Sequence, residues 1–246
     1  MIRALRAEIL KLRRSMMPVW TALVVMVAPW ITISSVALSQ GGAAAVKWSD
    51  FMRAGPQLIA CWYGTLLFGM VTAYIFGRER AEGTEQQVLT LPLKRELILI
   101  AKGLLVVGWA LTLTLLAIVV QVGYGALIGV HGSSWAGMVT YLGLALKVAT
   151  LILATLPWTA LLALVGRDYV APMVFSALAA FLGLGFAEAG WGRWFPWSMP
   201  VSATGLTLLP AVPLPPLAGW SYAVLAVVFV TGCLGSMLYF GRADTA

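Results

Sequence analysis

The apolar residues of this chain fall in runs of roughly twenty, the length an α-helix needs to cross a hydrocarbon core. Six such runs stand at about 17–38, 57–76, 97–130, 139–164, 170–187 and 219–240. Inside a bilayer no water reaches the backbone N–H and C=O groups, so segments of this kind must close their own hydrogen bonds as helices. The expected fold is therefore all-α and integral to a membrane, with six transmembrane helices. Only 10% of the residues are charged, against about 25% in a soluble domain. A single transmembrane domain over 1–246 leaves no room for a large soluble one. The third run is too long for one crossing, so its start is expected in the interface. Pro157 predicts a kink in the fourth.

The charges cluster at the ends of these runs, and they orient the chain. With the N-terminus inside, Arg3, Arg6, Lys11, Arg13, Arg14, Arg78, Arg80, Lys94, Arg95, Lys102, Arg167 and Arg242 fall on the cytoplasmic side. Lys47, Arg53 and Arg193 fall outside, and Lys147 lies within a run. That split places both termini in the cytoplasm by the positive-inside rule. It also accounts for the net charge of +7 without a nucleic-acid surface, so nucleic acid is excluded as a partner. Residues 1–15 carry Ile2, Leu5, Ile9 and Leu12 at helical spacing with basic residues mostly opposite, which predicts an amphipathic helix lying in the interface. A cleaved signal peptide is disfavoured, because the first apolar run exceeds the roughly 7–15-residue core of such peptides.

Between the second and third runs lies a dense polar segment, 77–96. Gly83 is placed to end a helix continuing from the second run. Thr84 and Gln87 could form a capping box for a new short helix over about 85–91, which must stop before Pro92. Val88 and Leu91 share one face of it. Such a helix could press into a groove on a soluble partner, or the segment could be a solvated loop; spacing alone leaves both open. Residues 40–55 read as a polar outer loop. Residues 188–218 hold Trp191, Trp194 and Trp197 among six prolines and are expected to dip into the outer leaflet and return, since aromatic residues concentrate at the interface. Gly125 and Gly129 form a GxxxG pair that could admit another helix. Lys147 either faces a polar cavity or snorkels to the outer headgroups, the second being favoured. Cys61 and Cys233 read as small buried hydrophobes.

Catalytic constellations are missing. His131 is the single histidine, so no histidine-based metal site or relay is expected. There is no G-x-x-x-x-G-K-[ST] phosphate loop and no H-E-x-x-H. No Asp or Glu sits in the middle of a run, which argues against coupling to an ion gradient.

The pattern Glu79-Arg80-x-x-Gly83-Thr84-x-x-x-x-Leu89-x-x-Pro92-x-x-Arg95-x-x-x-x-x-x-Lys102 resembles the first cytoplasmic loop of type-2 ABC exporter permeases. The opening Arg6-Ala7-Glu8-x-x-Lys11-Leu12-Arg13-Arg14-Ser15 is similar to small permeases of that family, many of which act in bacitracin- or lantibiotic-type export and self-protection. The resemblance implies a bacterial cytoplasmic-membrane complex of two permease chains, identical or paralogous, with two separate ATPase subunits. ATP and Mg would sit on those subunits, and this chain would bind no cofactor or metal and catalyse no reaction. It implies a coupling helix in 77–96, with Glu79, Gly83, Thr84, Leu89, Pro92 and Arg95 as coupling residues, and a cavity lined by spans two and five. Tyr63, Phe68, Tyr74, Phe175 and Phe181 are the candidate lining residues, though aromatics at such positions are more often packing. The expected cargo is amphiphilic: a peptide antibiotic, another drug or a lipid-like molecule. An ATP-independent channel or assembly factor is the alternative.

Overall fold

Helices stand where the long apolar runs predict them. The computed structural model describes residues 2–13, 15–39, 47–84, 95–130, 132, 134–166, 168–205 and 214–242. In chain order these form α1 (Ile2–Arg13), α2 (Met17–Ser39), α3 (Trp48–Leu58), a π turn (Ile59–Tyr63) and α4 (Gly64–Ala81). Then follow α5 (Arg95–Leu127), α6 (Trp135–Leu153), α7 (Leu156–Val165) and α8 (Val170–Phe186). A second π turn (Ala187–Trp191), a 3-10 turn (Pro196–Ser198), α9 (Met199–Thr204) and α10 (Gly219–Arg242) complete the order. Five helical stretches among the described residues are long and apolar enough to cross a membrane, or six if α1 and α2, bent by 70°, are taken together as one span.

The second span differs from its expected bounds. It is one helical run, Trp48–Ala81, and it absorbs much of what reads as the outer loop at 40–55. Trp48, Phe51, Met52, Gly55 and Pro56 form the buried face of α3, while Asp50 and Arg53 point outward. Apolar residues at i, i+3, i+4 and i+7 make this an amphipathic helix, and its outward charges mask it from a reading by hydropathy. The fourth span breaks at Ala154 and Thr155, and Pro157 sits in the first turn of α7, where a missing N–H costs nothing.

Trp48–Ala81 is also the centre of the bundle: its apolar window is 72% buried, against 22% for Gly219–Gly241. Helices in lipid associate largely through close packing of small residues, and the second span supplies them. A Cβ on Gly64 would lie 2.6 Å from Ile152 of α6, one on Gly69 2.2 Å from Ser176 Oγ of α8, and one on Gly77 3.1 Å from Tyr169. The last span docks in the same manner, with Gly232 against Pro157 and Gly235 against Leu161 of α7. Of the GxxxG pair, Gly125 lets Phe51 and Trp48 approach α5. Gly129, at φ +72°, instead terminates α5: Gly129 N–H reaches Ala126 O and Val130 N–H reaches Gly125 O, the double closure of a Schellman motif.

Beyond α8 the chain folds back along that helix. The Trp197 ring stands edge-on to Phe175 at 5.7 Å, and Phe195 packs on Phe186 at 4.8 Å. Lys147 is exposed on α6. Cys61 and Cys233 are both free thiols, the first buried and the second half-buried.

The tight α4–α8 contact can be tested. Gly69→Leu should lower the melting temperature of the purified protein through an overpacking cost of about 1–3 kcal/mol. Gly123→Leu, on α5 where a Cβ meets nothing within 4 Å, should melt close to the unchanged protein. Equal melting of the two variants would show that the Gly69–Ser176 approach is not needed.

Candidate functional site

The end of α4 that precedes residues 85–94 carries three consecutive charged residues: Arg78 ties it to α1, Glu79 to α1 and α5, and Arg80 to α7 and α10. Glu79 is the centre. Its Oε1 accepts from Lys11 Nζ of α1 at 2.7 Å, and its Oε2 accepts from Lys102 Nζ of α5 at 2.8 Å. Lys102 also donates to Ile75 O at 3.0 Å, and Lys11 also pairs with Glu8 Oε1 at 2.7 Å. Two ammonium groups and two carboxylates thus alternate along one chain of contacts. The Lys102 and Glu79 side chains are only 3% and 11% exposed, so screening by solvent is slight and neither charge can stand there unpaired.

Lys11 lies outside the five helical stretches that are each long enough to cross a membrane. Burial alone lowers its pKa, but hydrogen bonds and charge from Glu79 and Glu8 outweigh that and raise it above the ordinary 10.5. A raised lysine pKa contributes stability that is fully present below the unfolded value and lost only as pH rises through the folded one. The docking of α1 through Lys11 therefore holds throughout the neutral range.

Arg78 pairs with Glu82 at 3.1 Å, donates to Lys11 O at 3.1 Å and stands over the Tyr74 ring at 5.6 Å. Arg80 reaches the other side of the bundle. It donates to Leu164 O and Gly166 O at the end of α7 and to Tyr239 OH of α10, the last at 3.1 Å. Carbonyls at a helix C-terminus lack intrahelical donors and carry partial negative charge, so a guanidinium satisfies them well. Next to them, Asp168 Oδ1 caps the start of α8 through Val170 N–H and Ala171 N–H, at 2.9 and 3.2 Å.

Past Arg80 the helix closes cleanly. Gly83 takes φ +67°. Gly83 N–H bonds Arg80 O and Thr84 N–H bonds Glu79 O, which is again the Schellman pattern. The Thr84 hydroxyl also turns back to Glu79 O at 3.3 Å. Thr84 thus completes the end of α4, and the capping box expected with Gln87 lies in part outside the described residues, as do the short helix itself, Leu89 and Pro92. Arg95 opens α5, and its side chain is likewise outside them.

Of the sequence-expected coupling residues, the structure therefore brings Glu79, Gly83 and Thr84 into one knot. Glu79 faces into the bundle, where its contacts are other helices of the same chain. The five aromatic candidates do not meet around one space. Tyr63 and Phe68 are buried in the core. Tyr74 packs edge-on to Tyr169, Phe175 on Trp197, and the exposed Phe181 on Trp62. Glu8, Lys11, Lys102 and Arg80 are the partners that a reading of the sequence misses as site residues. Lys102 carries the legible signal, because a lysine inside the apolar stretch after Leu97 must find an acid, and Glu79 is at hand in the preceding span.

Residues 4–183 match the family described as ABC-2 family transporter protein. The chain is 25% identical over 199 residues to the bacitracin transport permease protein BCRB of Bacillus licheniformis, an overlap covering 81% of this chain and 94% of that protein. No solved structure matches it.

The buried pair predicts a non-additive pattern. Lys102→Met leaves a buried carboxylate short of one partner, and should cost about 3–5 kcal/mol. Adding Glu79→Gln removes that stranded charge, so the double variant should melt closer to the unchanged protein than Lys102→Met alone. Additive losses in thermal denaturation would place the stability of this region elsewhere.

Proposed function

This chain belongs to the ABC-2 transporter family and is a membrane permease subunit of an ABC-2-type exporter, and from that premise we propose that its 77–96 segment is the element through which a separate ATPase drives export. Family membership makes the subunit non-catalytic and implies ATPase partner subunits. In the proposed assembly two ATPase subunits, carrying ATP and Mg, meet two permease chains, identical or paralogous. Residues 1–15 lie in the inner interface, both termini face the cytoplasm, and 188–218 dips into the outer leaflet. The proposed cargo is an amphiphile of the peptide-antibiotic kind. That reading is supported by the likeness to BCRB over nearly its whole length and by the scarcity of charge in the middle of the spans.

The observation that carries the coupling role is the double ion pair of Glu79 at the foot of the loop. Gly83 is exposed and has a left-handed backbone, so it marks a bend between the loop and α4. A force applied by an ATPase to the loop reaches α4 at Glu79. Separating Glu79 from Lys11 or Lys102 would strand a buried charge at a cost of about 3–5 kcal/mol. Tilting the end of α4 therefore draws α1 and α5 with it, and Arg80 extends the same pull to the ends of α7 and α10. Such a block converts a local push into a change of shape of the membrane bundle, as alternating access requires. Its effect on the central pair α4 and α8 would open or close a path beside Trp62 and Phe181.

Co-expression with its cognate ATPase tests this. The unchanged permease should retain the ATPase through purification. Leu89→Asp should still insert in the membrane yet retain about tenfold less ATPase, the effect of losing one apolar anchor in an interface, and should confer less resistance to the exported drug. Full retention and full resistance in Leu89→Asp would remove the loop from the docking surface.

A further inference from the structure

A groove on the flank of the bundle belongs to none of the machinery above. The helix α10 packs along α7 and barely meets α5, and the gap left between α5 and α10 is a cavity of about 280 Å³. Gly103 lies in its α5 wall, Cys233 in its α10 wall, and Phe76 with Pro157 at its back. A Cβ added at Gly103 would meet no atom within 4 Å, so the space begins at the helix surface itself. The rim residues Leu104, Val107, Phe229 and Met237 are exposed, which opens the groove sideways toward the lipid.

The lining excludes water. Its two hydroxyls are spent on their own helices: Thr72 Oγ1 bonds Phe68 O at 2.7 Å and Ser236 Oγ bonds Gly232 O at 2.9 Å. A water needs two to four polar partners to remain in such a space, and an apolar cavity without them stays dry. The groove follows α5 from Leu99 to Val107, about 12 Å at ~1.5 Å per residue. That is most of one leaflet of a hydrocarbon core about 30 Å thick. It lies toward the ends of α5 and α10 nearest the loop, where α5 begins and α10 finishes.

We propose that this groove seats one acyl chain of a phospholipid from the leaflet on the loop side of the bundle. Its lateral opening, apolar lining and length fit a bilayer chain entering from the side. The seated chain packs on Phe76, whose ring lies 5.8 Å from Lys102 Nζ, so a lipid becomes a packing partner of the residues beside the Glu79–Lys102 pair. The site depends only on the chain's spanning a membrane, not on how its transport is driven.

Phosphatidylglycerol carrying a diazirine in mid-chain, placed in nanodiscs with the purified chain, tests the site by mapping cross-links. Labelling should concentrate on Cys233, Met237 and Leu104 rather than on Val119 of α5, which at 67% exposure is the better target for ordinary lipid contact. Gly103→Phe fills the groove and should cut labelling of α10 about tenfold, equivalent to about 1.4 kcal/mol, while leaving Val119 unchanged. Cys233→Phe plugs it from the opposite wall and should do the same at Met237, with the melting temperature of both variants verifying that each is folded. Stronger labelling of Val119 than of the groove, or labelling unaffected by both plugs, would overturn the proposal. Displacement of the probe by an equimolar peptide antibiotic would reassign the groove to cargo.

Discussion

A carboxylate at the end of the most buried span cannot exist there alone, and the arrangement of the loop end follows from that. Glu79 draws an ammonium from α1 on one side and another from α5 on the other. Buried ion pairs add little net stability when compared with apolar packing, but breaking one is costly. Here the pairs join three helices at one point, Glu79 of α4 meeting Lys11 of α1 and Lys102 of α5. Lysine suits this position, since a compact ammonium on a flexible stem can reach both Ile75 O and Glu79 Oε2, where a planar guanidinium would need a wider site.

The remaining bundle relies on a different rule. Between helices in lipid there is no gain from removing apolar surface from water, so closeness of backbones decides which helices pair. Glycines at 64, 69 and 77 make the second span the one that others approach. Gly232 and Gly235 bind α10 to α7, which keeps it away from α5 and leaves the lateral groove. One rule thus explains both the tight centre and the open flank.

Spans were legible because a run of about twenty apolar residues has few alternatives, and Gly83 was legible because a helix that ends in a Schellman closure calls for a residue tolerant of positive φ. The outer helix α3 was not, because Asp50 and Arg53 break the hydropathy signal while the buried residues keep the helical period. Gly129 misled, since a glycine at the end of a span serves as well for termination as for close approach. In α1 Leu12 packs into the core and Ile9 is exposed, while Lys11 turns toward the bundle. A distant acid, Glu79, overrides the local amphipathic pattern there, and a single helix read by itself holds no trace of that acid.

The two ends of the central helix pair differ in kind. Toward the loop, α4 is regular and pinned by Arg78, Glu79 and Arg80. Toward the other end, both the second span and the stretch after α8 pass through π turns, Ile59–Tyr63 and Ala187–Trp191, the second with Gly190 at φ +83°. Such turns widen a helix by one residue and leave its hydrogen bonds poorly registered. In the coupling scheme proposed above, a push at Glu79 moves a rigid inner block, and the strain must appear where the helices are least regular. That places the change of shape at the far end of α4 and α8, beside the aromatic turns that fold back along α8. In that proposal, force enters at one side of the bundle, and the path for cargo alters at the other.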